Sequence, residues 1–231
     1  MNFPDEQKRA AGEAAAELVE SGMIVGLGTG STAAWFIRGL AHRMQSERLD
    51  VRGVATSSAT AALAEVLGIP LLTLNQVDID LTVDGADEIG PGLSLIKGAG
   101  AALLREKLVW EASRRCVVIA DQAKRVPRLG RCPLPIEVIA FGHEATARRI
   151  CDALAECDIG VAPRMRIHDG EPVITDNGNL LYDAVCGEIE NPSLLADALK
   201  SVTGVVDHGL FLDLADEALI GGEKGIERLQ P

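Results

Sequence analysis

The sequence predicts an α/β protein: a Rossmann-like, mainly parallel sheet with helices on both faces, plus a small ferredoxin-like α+β domain. Short apolar runs alternate with helix-patterned stretches through residues 1–130. Glycine turns join several of these runs to the helix that follows, which is the connection parallel strands need. From "RCPLPIEV" onward the order changes to β-α-β-β-α-β.

Taken along the chain, "MNFPDEQKRAAGEAAAELVESG" reads as an amphipathic helix ending near Gly22. The apolar "MIVGLG" is a buried strand, and "TGSTAAWFIRGLAHRM" is the helix it leads into. "VRGVATS" before "SATAALAEVLG" repeats that unit. In "IDLTVDGAD" the apolar positions Ile79, Leu81 and Val83 alternate as a strand requires. "KGAGAALLREKLVW" is a glycine turn opening a helix, and "LVWEASRR" leads into the strand of "CVVIADQAK". Beyond residue 130, a pair of prolines precedes a strand, followed by a helix from Glu144 to Cys157, two strands joined by "TDNGN", and another helix before "GVVDHGLF". "DNG" reads chiefly as a hairpin turn. The expected division is a large domain of residues 1–130 and 205–231 and a small domain of residues 131–204. Ligands of open parallel sheets sit beyond the carboxyl ends of the strands, so the glycine turn, "VATSS", "DGADE" and "ADQAK" all open onto one edge.

Composition narrows the function. With 3% aromatic residues and a net charge of -12 over 231 residues, the chain has neither base-stacking platforms nor the basic footprint of a nucleic-acid binder. Any anionic ligand must be held by local exceptions to a negative surface. Five cysteines form no C-x-x-C pair and four histidines show no zinc-ligand spacing, which argues for reduced thiols in a cytoplasmic protein without a metal site. No secretory signal and no membrane-spanning run is expected.

Several stretches carry chemistry. "GLGTGSTA", Gly26 to Ala33, joins a strand to a helix, so its backbone N–H groups can cradle an anion, with Thr29, Ser31 and Thr32 adding hydroxyls. A tight turn that only packs helix on sheet is the alternative. Gly28, Gly30 and Ala33 fit the loose dinucleotide pattern, but "ATSS" stands where the ribose-binding acid belongs, and no lysine follows the last glycine as a nucleotide P-loop requires. In "VDGADEIG", Asp84, Asp87 and Glu88 crowd within five residues with no basic neighbour in the run. Such crowding suits either a solvated turn or a ligand that needs several carboxylates. Glu106 lies among Ala102, Leu103, Val109 and Trp110, none of which can pair with its charge, and a carboxylate in poor solvent tends toward a raised pKa suited to general-base work. Lys97, at the mouth of the same helix, fits a substrate-oxygen ligand and a solvated rim charge equally well. Lys124 and Arg125 are either surface charges or phosphate attractors. Asp78, Asp80 and Thr82 match the D-x-D-x-T string of aspartyl-phosphate phosphatases, but they precede the strand rather than follow it.

"GLGTGSTA", "VDGADEI", "KGAGAALLREK", "LPIEV" and "TDNGN" occur in the order and approximate spacing of type A ribose-5-phosphate isomerase, and the chain resembles that family over essentially its whole length. Departures are small. Ala99 stands where glycine or arginine is usual, Leu104 where some members carry threonine, and "DQAK" varies a "D-x-S-K" theme. The resemblance implies reversible conversion of D-ribose 5-phosphate to D-ribulose 5-phosphate without metal or redox cofactor. It implies that Thr29, Gly30, Ser31, Thr32 and Lys124 hold the sugar phosphate. Asp84, Gly85, Ala86 and Asp87, with Lys97, Gly98, Ala99 and Gly100, would meet the sugar hydroxyls. Glu106 would be the general base, Lys97 the partner of the developing oxyanion, Asp84 the shuttle for hydroxyl protons and Asp87 an orienting group, leaving Glu88 as the solvated member of the acidic run. A homodimer or homotetramer is implied as well. The rival readings are a sugar-phosphate sensor of the same fold, an amino-sugar-phosphate deaminase or CoA transferase, and a magnesium-dependent phosphatase.

Overall fold

The structure is a computed structural model and describes residues 3–231; Met1 and Asn2, the first residues of the stretch read as helical, lie outside the described residues. Helix α1 (Phe3–Ala16) stops short of Gly22, because the Arg43 guanidinium takes the carbonyls of Ala16 and, at 3.0 Å, Val19. Strand β1 (Ile24–Leu27) feeds α2 (Ser31–Ser46), and β2 (Arg52–Ala55) feeds α3 (Ser58–Val66), which is N-capped by Ser57 accepting from the Thr60 amide at 3.0 Å. Then come β3 (Leu81–Gly85), β4 (Glu88–Ile89), β5 (Leu95–Ile96), α4 (Leu103–Glu111) and β6 (Cys116–Asp121). After β7 (Leu134–Val138) and α5 (His143–Glu156), short strands β8 (Arg164–Met165), β9 (Ile167–His168) and β10 (Glu171–Pro172) precede β11 (Leu180–Ala184). The chain ends through α6 (Pro192–Ser201), β12 (Val205–His208), β13 (Leu210–Phe211), β14 (Glu217–Gly222) and β15 (Gly225–Leu229).

These elements form two compact units. The first comprises Met1–Ala86, Arg105–Arg125 and Asp213–Pro231, and the second Asp87–Leu104 and Val126–Leu212. In the first, a six-stranded sheet runs in the order β15-β14-β6-β3-β1-β2, parallel throughout except for the β14–β15 hairpin at its edge. One face packs Val25, Leu27, Leu81 and Val83 against Ala11 and Ala15 of α1 and Phe36, Ile37 and Leu40 of α2. On the other face Val109 of α4 joins Val54 and Ile79. Helices therefore cover both faces, and each large aliphatic side chain buried there contributes about 1.5–3 kcal/mol.

The second unit holds a four-stranded antiparallel sheet in the order β12-β7-β11-β8 and a three-stranded one in the order β13-β5-β4. Numbered within β-α-β-β-α-β, the first order is 4-1-3-2, the ferredoxin-like arrangement. Its core packs Ile136 and Val138 of β7 against Ile150 and Leu154 of α5 and Leu195 and Leu199 of α6. The expected small domain of residues 131–204 falls wholly inside this unit. The unit also takes in β12, because it pairs with β7, and β4, β5 and β13, because they pair with one another. Pro135 lies within β7 rather than before it, opposite Asp183.

Glu88 overturns the expectation of a solvated carboxylate. It is fully buried in the second unit, where it accepts the Gly130 amide at 2.8 Å and the Cys132 amide, so it caps the loop ahead of β7. Glu88→Ala leaves both donors without an acceptor and should lower stability by about 3 kcal/mol. Urea unfolding should show a lower midpoint at unchanged slope. Cys116 gives a second test: burial, then the nearby Asp216 carboxylate, push its thiol up to about 12. It should stay unlabelled by a thiol reagent at pH 8 until the protein is unfolded.

Candidate active site

In the first unit the site is built at the carboxyl end of β3. Asp84 is fully buried there, and its Oδ1 accepts the backbone N–H of Thr29 at 2.9 Å and of Gly85 at 2.7 Å. This carboxylate fixes the turn after β1. A Cβ on Gly28 would stand 2.2 Å from Asp84 Oδ1, so only glycine lets the turn approach so closely. Gly30, at φ 105°, then starts α2 without a side-chain cap. The first amides of α2 are thus left facing outward, as an anion cradle requires.

Thr29 turns its hydroxyl inward. Its Oγ1 lies 2.7 Å from Thr56 Oγ1, 2.8 Å from Ser57 Oγ and 3.1 Å from Thr60 Oγ1, while Thr60 donates to the Gly28 carbonyl at 2.9 Å. The hydroxyls of Thr56, Ser57 and Thr60 therefore hold the turn in place, a role their sequence pattern does not signal. Ser31 is exposed, Thr32 is buried, and Lys8 of α1 donates to Ser31 Oγ at 3.2 Å. Lys8 carries no signal in the sequence either, since its position depends on how α1 packs on α2. Lys124 follows β6 in a short turn whose first residue, Asp121, accepts the Ala123 amide at 3.0 Å. Among the described residues Lys124 has no ion-pair partner, whereas Arg125 pairs with Glu227 at 3.0 Å and is a surface charge.

Glu106 lies in the first turn of α4 and is 4% exposed. Its expected flanks, Ala102, Leu103, Val109 and Trp110, are all buried. Gly26 leaves room for Val109, whose Cγ1 would stand 2.8 Å from a Cβ there. Val109 thus sits on the β1 face that Gly26 and Gly28 share, and Glu106 is one turn closer to the helix N-terminus on the same side of α4. Asp80 instead accepts the Ile24 amide at 2.9 Å and meets Arg114 at 3.2 Å, at the start of the strands, so the phosphatase-like string lies at the wrong edge.

The chain passes into the second unit after Ala86, and Asp87 and Lys97–Gly100 belong there. Lys97 is 2% exposed, which rules out a solvated rim charge. Its amide donates to the Gly209 carbonyl at 2.9 Å and its Nζ stands 5.4 Å from the Phe211 ring centroid. Asp87 Oδ2 accepts the Ala99 amide at 2.9 Å. "LPIEV" and "TDNGN" prove to be one interaction: buried Glu137 Oε1 accepts from Thr175 Oγ1 at 2.8 Å, Asn179 Nδ2 at 2.9 Å and Asn177 Nδ2 at 3.3 Å. The hairpin turn is present, closed by Thr175 N–H on the Asn179 carbonyl at 2.9 Å, and its side chains donate to one oxygen of a buried carboxylate besides.

Fold and cradle define a class, that of α/β proteins with a glycine turn and an uncapped helix N-terminus at the carboxyl edge of a parallel sheet. Comparison with known proteins narrows it. The family described as ribose 5-phosphate isomerase A (phosphoriboisomerase A) matches residues 52–225. Ribose-5-phosphate isomerase A of Caulobacter vibrioides is 68% identical over 98% of this chain and 99% of its own, and that of a Synechococcus species is 52% identical over 100% and 99%. Among solved structures, ribose 5-phosphate isomerase from Plasmodium falciparum superposes with a TM-score of 0.94 at 37% identity, covering 98% of this chain and 99% of that one. A D-ribose-5-phosphate isomerase in complex with phospho-erythronic acid superposes at 0.92 with 39% identity, covering 100% of both chains. The chain belongs to the ribose 5-phosphate isomerase A family.

Gly28→Ala must displace Asp84 or the cradle, and should lower kcat/KM by about 10²-fold. Gly160→Ala, which would meet nothing within 4 Å, serves as the control and should leave both kinetics and stability unchanged.

Proposed function

We propose that this chain interconverts D-ribose 5-phosphate and D-ribulose 5-phosphate, an aldose–ketose isomerisation through an enediolate with Glu106 as general base. Family membership over nearly the whole length carries the reaction. The burial of Glu106 among apolar side chains supports the role of base, since it places the carboxylate where bulk water competes least with the substrate proton.

In this reading the phosphate rests on the backbone of Thr29, Gly30, Ser31 and Thr32, with Lys8 and Lys124 supplying positive charge in a protein whose net charge is -12. Asp84, Gly85, Ala86 and Asp87 meet the sugar hydroxyls, as do Lys97, Gly98, Ala99 and Gly100. Glu106 removes the C2 proton of the open-chain aldose. The electron pair moves into the C1–C2 bond and onto O1, where the Lys97 ammonium opposes the developing charge. Asp84 passes the O2 proton towards O1, and Glu106 returns its own proton to C1, which completes the ketose. No electron leaves the substrate, so the balance needs no redox partner. Asp87 orients the loop at Ala99.

We also propose a homodimer or homotetramer in the cytoplasm, supported by Phe141 at 91% exposure with Ile139, two residues before it, at 42%, and by five free cysteines. Light scattering on the eluting protein should give at least twice the monomer mass, and a lone monomer at assay concentration would contradict the oligomer.

Ribulose 5-phosphate should form from ribose 5-phosphate with chelator present, and Glu106→Gln should lower kcat by about 10²–10⁴-fold. Turnover retained in the variant would move the base elsewhere, and a parent that binds the sugar phosphate without converting it would favour the sensor. Lys8→Ala should raise KM by about tenfold through the loss of a charged phosphate contact, with kcat little changed.

A further inference from the structure

We infer that Arg166, anchored by Asp183, is a positioning residue for the Lys97–Gly100 loop; the inference rests on the isomerase reading above. The loop is conformationally demanding. Gly98 has φ 109° and Ala101 has φ 60°, so its path lies outside what ordinary residues adopt unaided. Something must hold it.

A single guanidinium nitrogen does much of this. Arg166 Nη1 donates to the Gly98 carbonyl at 2.9 Å and to the Ala99 carbonyl at 3.1 Å. The rest of the guanidinium faces Asp183, with Nε on Oδ2 at 2.8 Å and Nη2 on Oδ1, a two-point contact that fixes the plane of the group. Both side chains are mostly shielded, at 18% and 24% exposure, so the pair is less screened than a surface ion pair. The backbone at Arg166 is fixed as well: its amide donates to the Leu181 carbonyl at 2.8 Å, and its carbonyl accepts the Val173 amide at 3.0 Å. Asp183 lies on β11 opposite Pro135, and Pro135 Cγ would stand 3.2 Å from a Cβ on Gly98. Loop and clamp thus rest on the same sheet.

Peptide geometry turns this clamp into a functional device. In a trans peptide the N–H points opposite the carbonyl. With the Gly98 carbonyl on Arg166, the Ala99 N–H is directed away from it and reaches Asp87. With the Ala99 carbonyl on Arg166, the Gly100 N–H is directed away too, and among the described residues it has no protein acceptor. Arg166 therefore sets the direction of a backbone donor and, through the covalent chain, the root of Lys97, whose own amide is held by Gly209. It need touch no substrate to do so. Misplacing a loop that serves the developing oxyanion should cost transition-state stabilisation more than ground-state binding, since the phosphate is held by other residues.

The test uses the full-length protein, with Arg166→Ala and Arg166→Lys assayed for ribose 5-phosphate isomerisation and for inhibition by inorganic phosphate. We expect kcat of Arg166→Ala to fall by about 10²-fold, with KM and phosphate inhibition unchanged and part of kcat restored by guanidinium at a non-denaturing concentration. A role confined to stability would not give that rescue. If the alanine variant fails to melt cooperatively, Arg166→Lys is read by the same split, because an ammonium keeps the charge but cannot hold Asp183 by two parallel bonds and both carbonyls together. Unchanged kcat in a folded variant overturns the inference, as does a loss of kcat matched by an equal loss of phosphate affinity. A parent that does not isomerise ribose 5-phosphate would instead overturn the reading on which the inference rests.

Discussion

A carboxylate buried at the end of a central parallel strand has to find hydrogen-bond donors within its own fold. Asp84 takes them from the Thr29 and Gly85 amides, and much of the first unit follows. The turn after β1 is drawn so close to β3 that position 28 has no room for a side chain. Thr29 is then turned towards the hydroxyls of Thr56, Ser57 and Thr60, and Gly30 starts α2 in a conformation that leaves its first amides uncapped. A similar close approach at Gly26 seats Val109 and with it the first turn of α4, which carries Glu106. Ligand cradle and candidate base are thus both set by how closely backbone can approach the sheet.

The second unit solves the same electrostatic problem three times with different donors. Glu88 takes two backbone amides, Glu137 takes one hydroxyl and two carboxamides on Oε1 while its Oε2 meets no donor among the described residues, and Asp183 takes a guanidinium. Each tie joins segments far apart in the chain. Such groups are costly to leave unmatched, so each satisfied carboxylate fixes the segment that serves it. Four of the motifs quoted from the sequence are held in this way: the acidic run through Glu88, "LPIEV" together with "TDNGN" through Glu137, and "KGAG" through Asp87 and Arg166.

What was legible in the sequence was what local periodicity and glycine placement encode. Alternation in Ile79, Leu81 and Val83, the glycine turns before α2 and α4, and the apolar flanks of Glu106 are all properties of neighbours in the chain. What was illegible depended on partners remote in sequence. The end of α1 is decided by Arg43, some two dozen residues on, and the burial of Glu88 by amides at 130 and 132. Three adjacent acids look alike as a string, yet Asp84 and Glu88 are buried and Asp87 is only partly so. Lys8 and Arg166 carry no local signal, because a basic residue on a helix or between two short strands is ordinarily solvated. The "DNG" string encodes its turn locally but not its chemistry, since Glu137 lies some forty residues upstream.

The central claim is that a proton leaves C2 to a protein carboxylate and another returns to C1. It is tested most directly by running the reaction in deuterium oxide with chelator present and examining C1 of the ribulose 5-phosphate formed. Deuterium entering C1 is the predicted result, because a carboxylate that holds the proton exchanges it with solvent in at least a fraction of turnovers. Hydrogen carried wholly from C2 to C1 with none from solvent, in a reaction that chelation stops, would contradict it and point to a metal-assisted hydride shift.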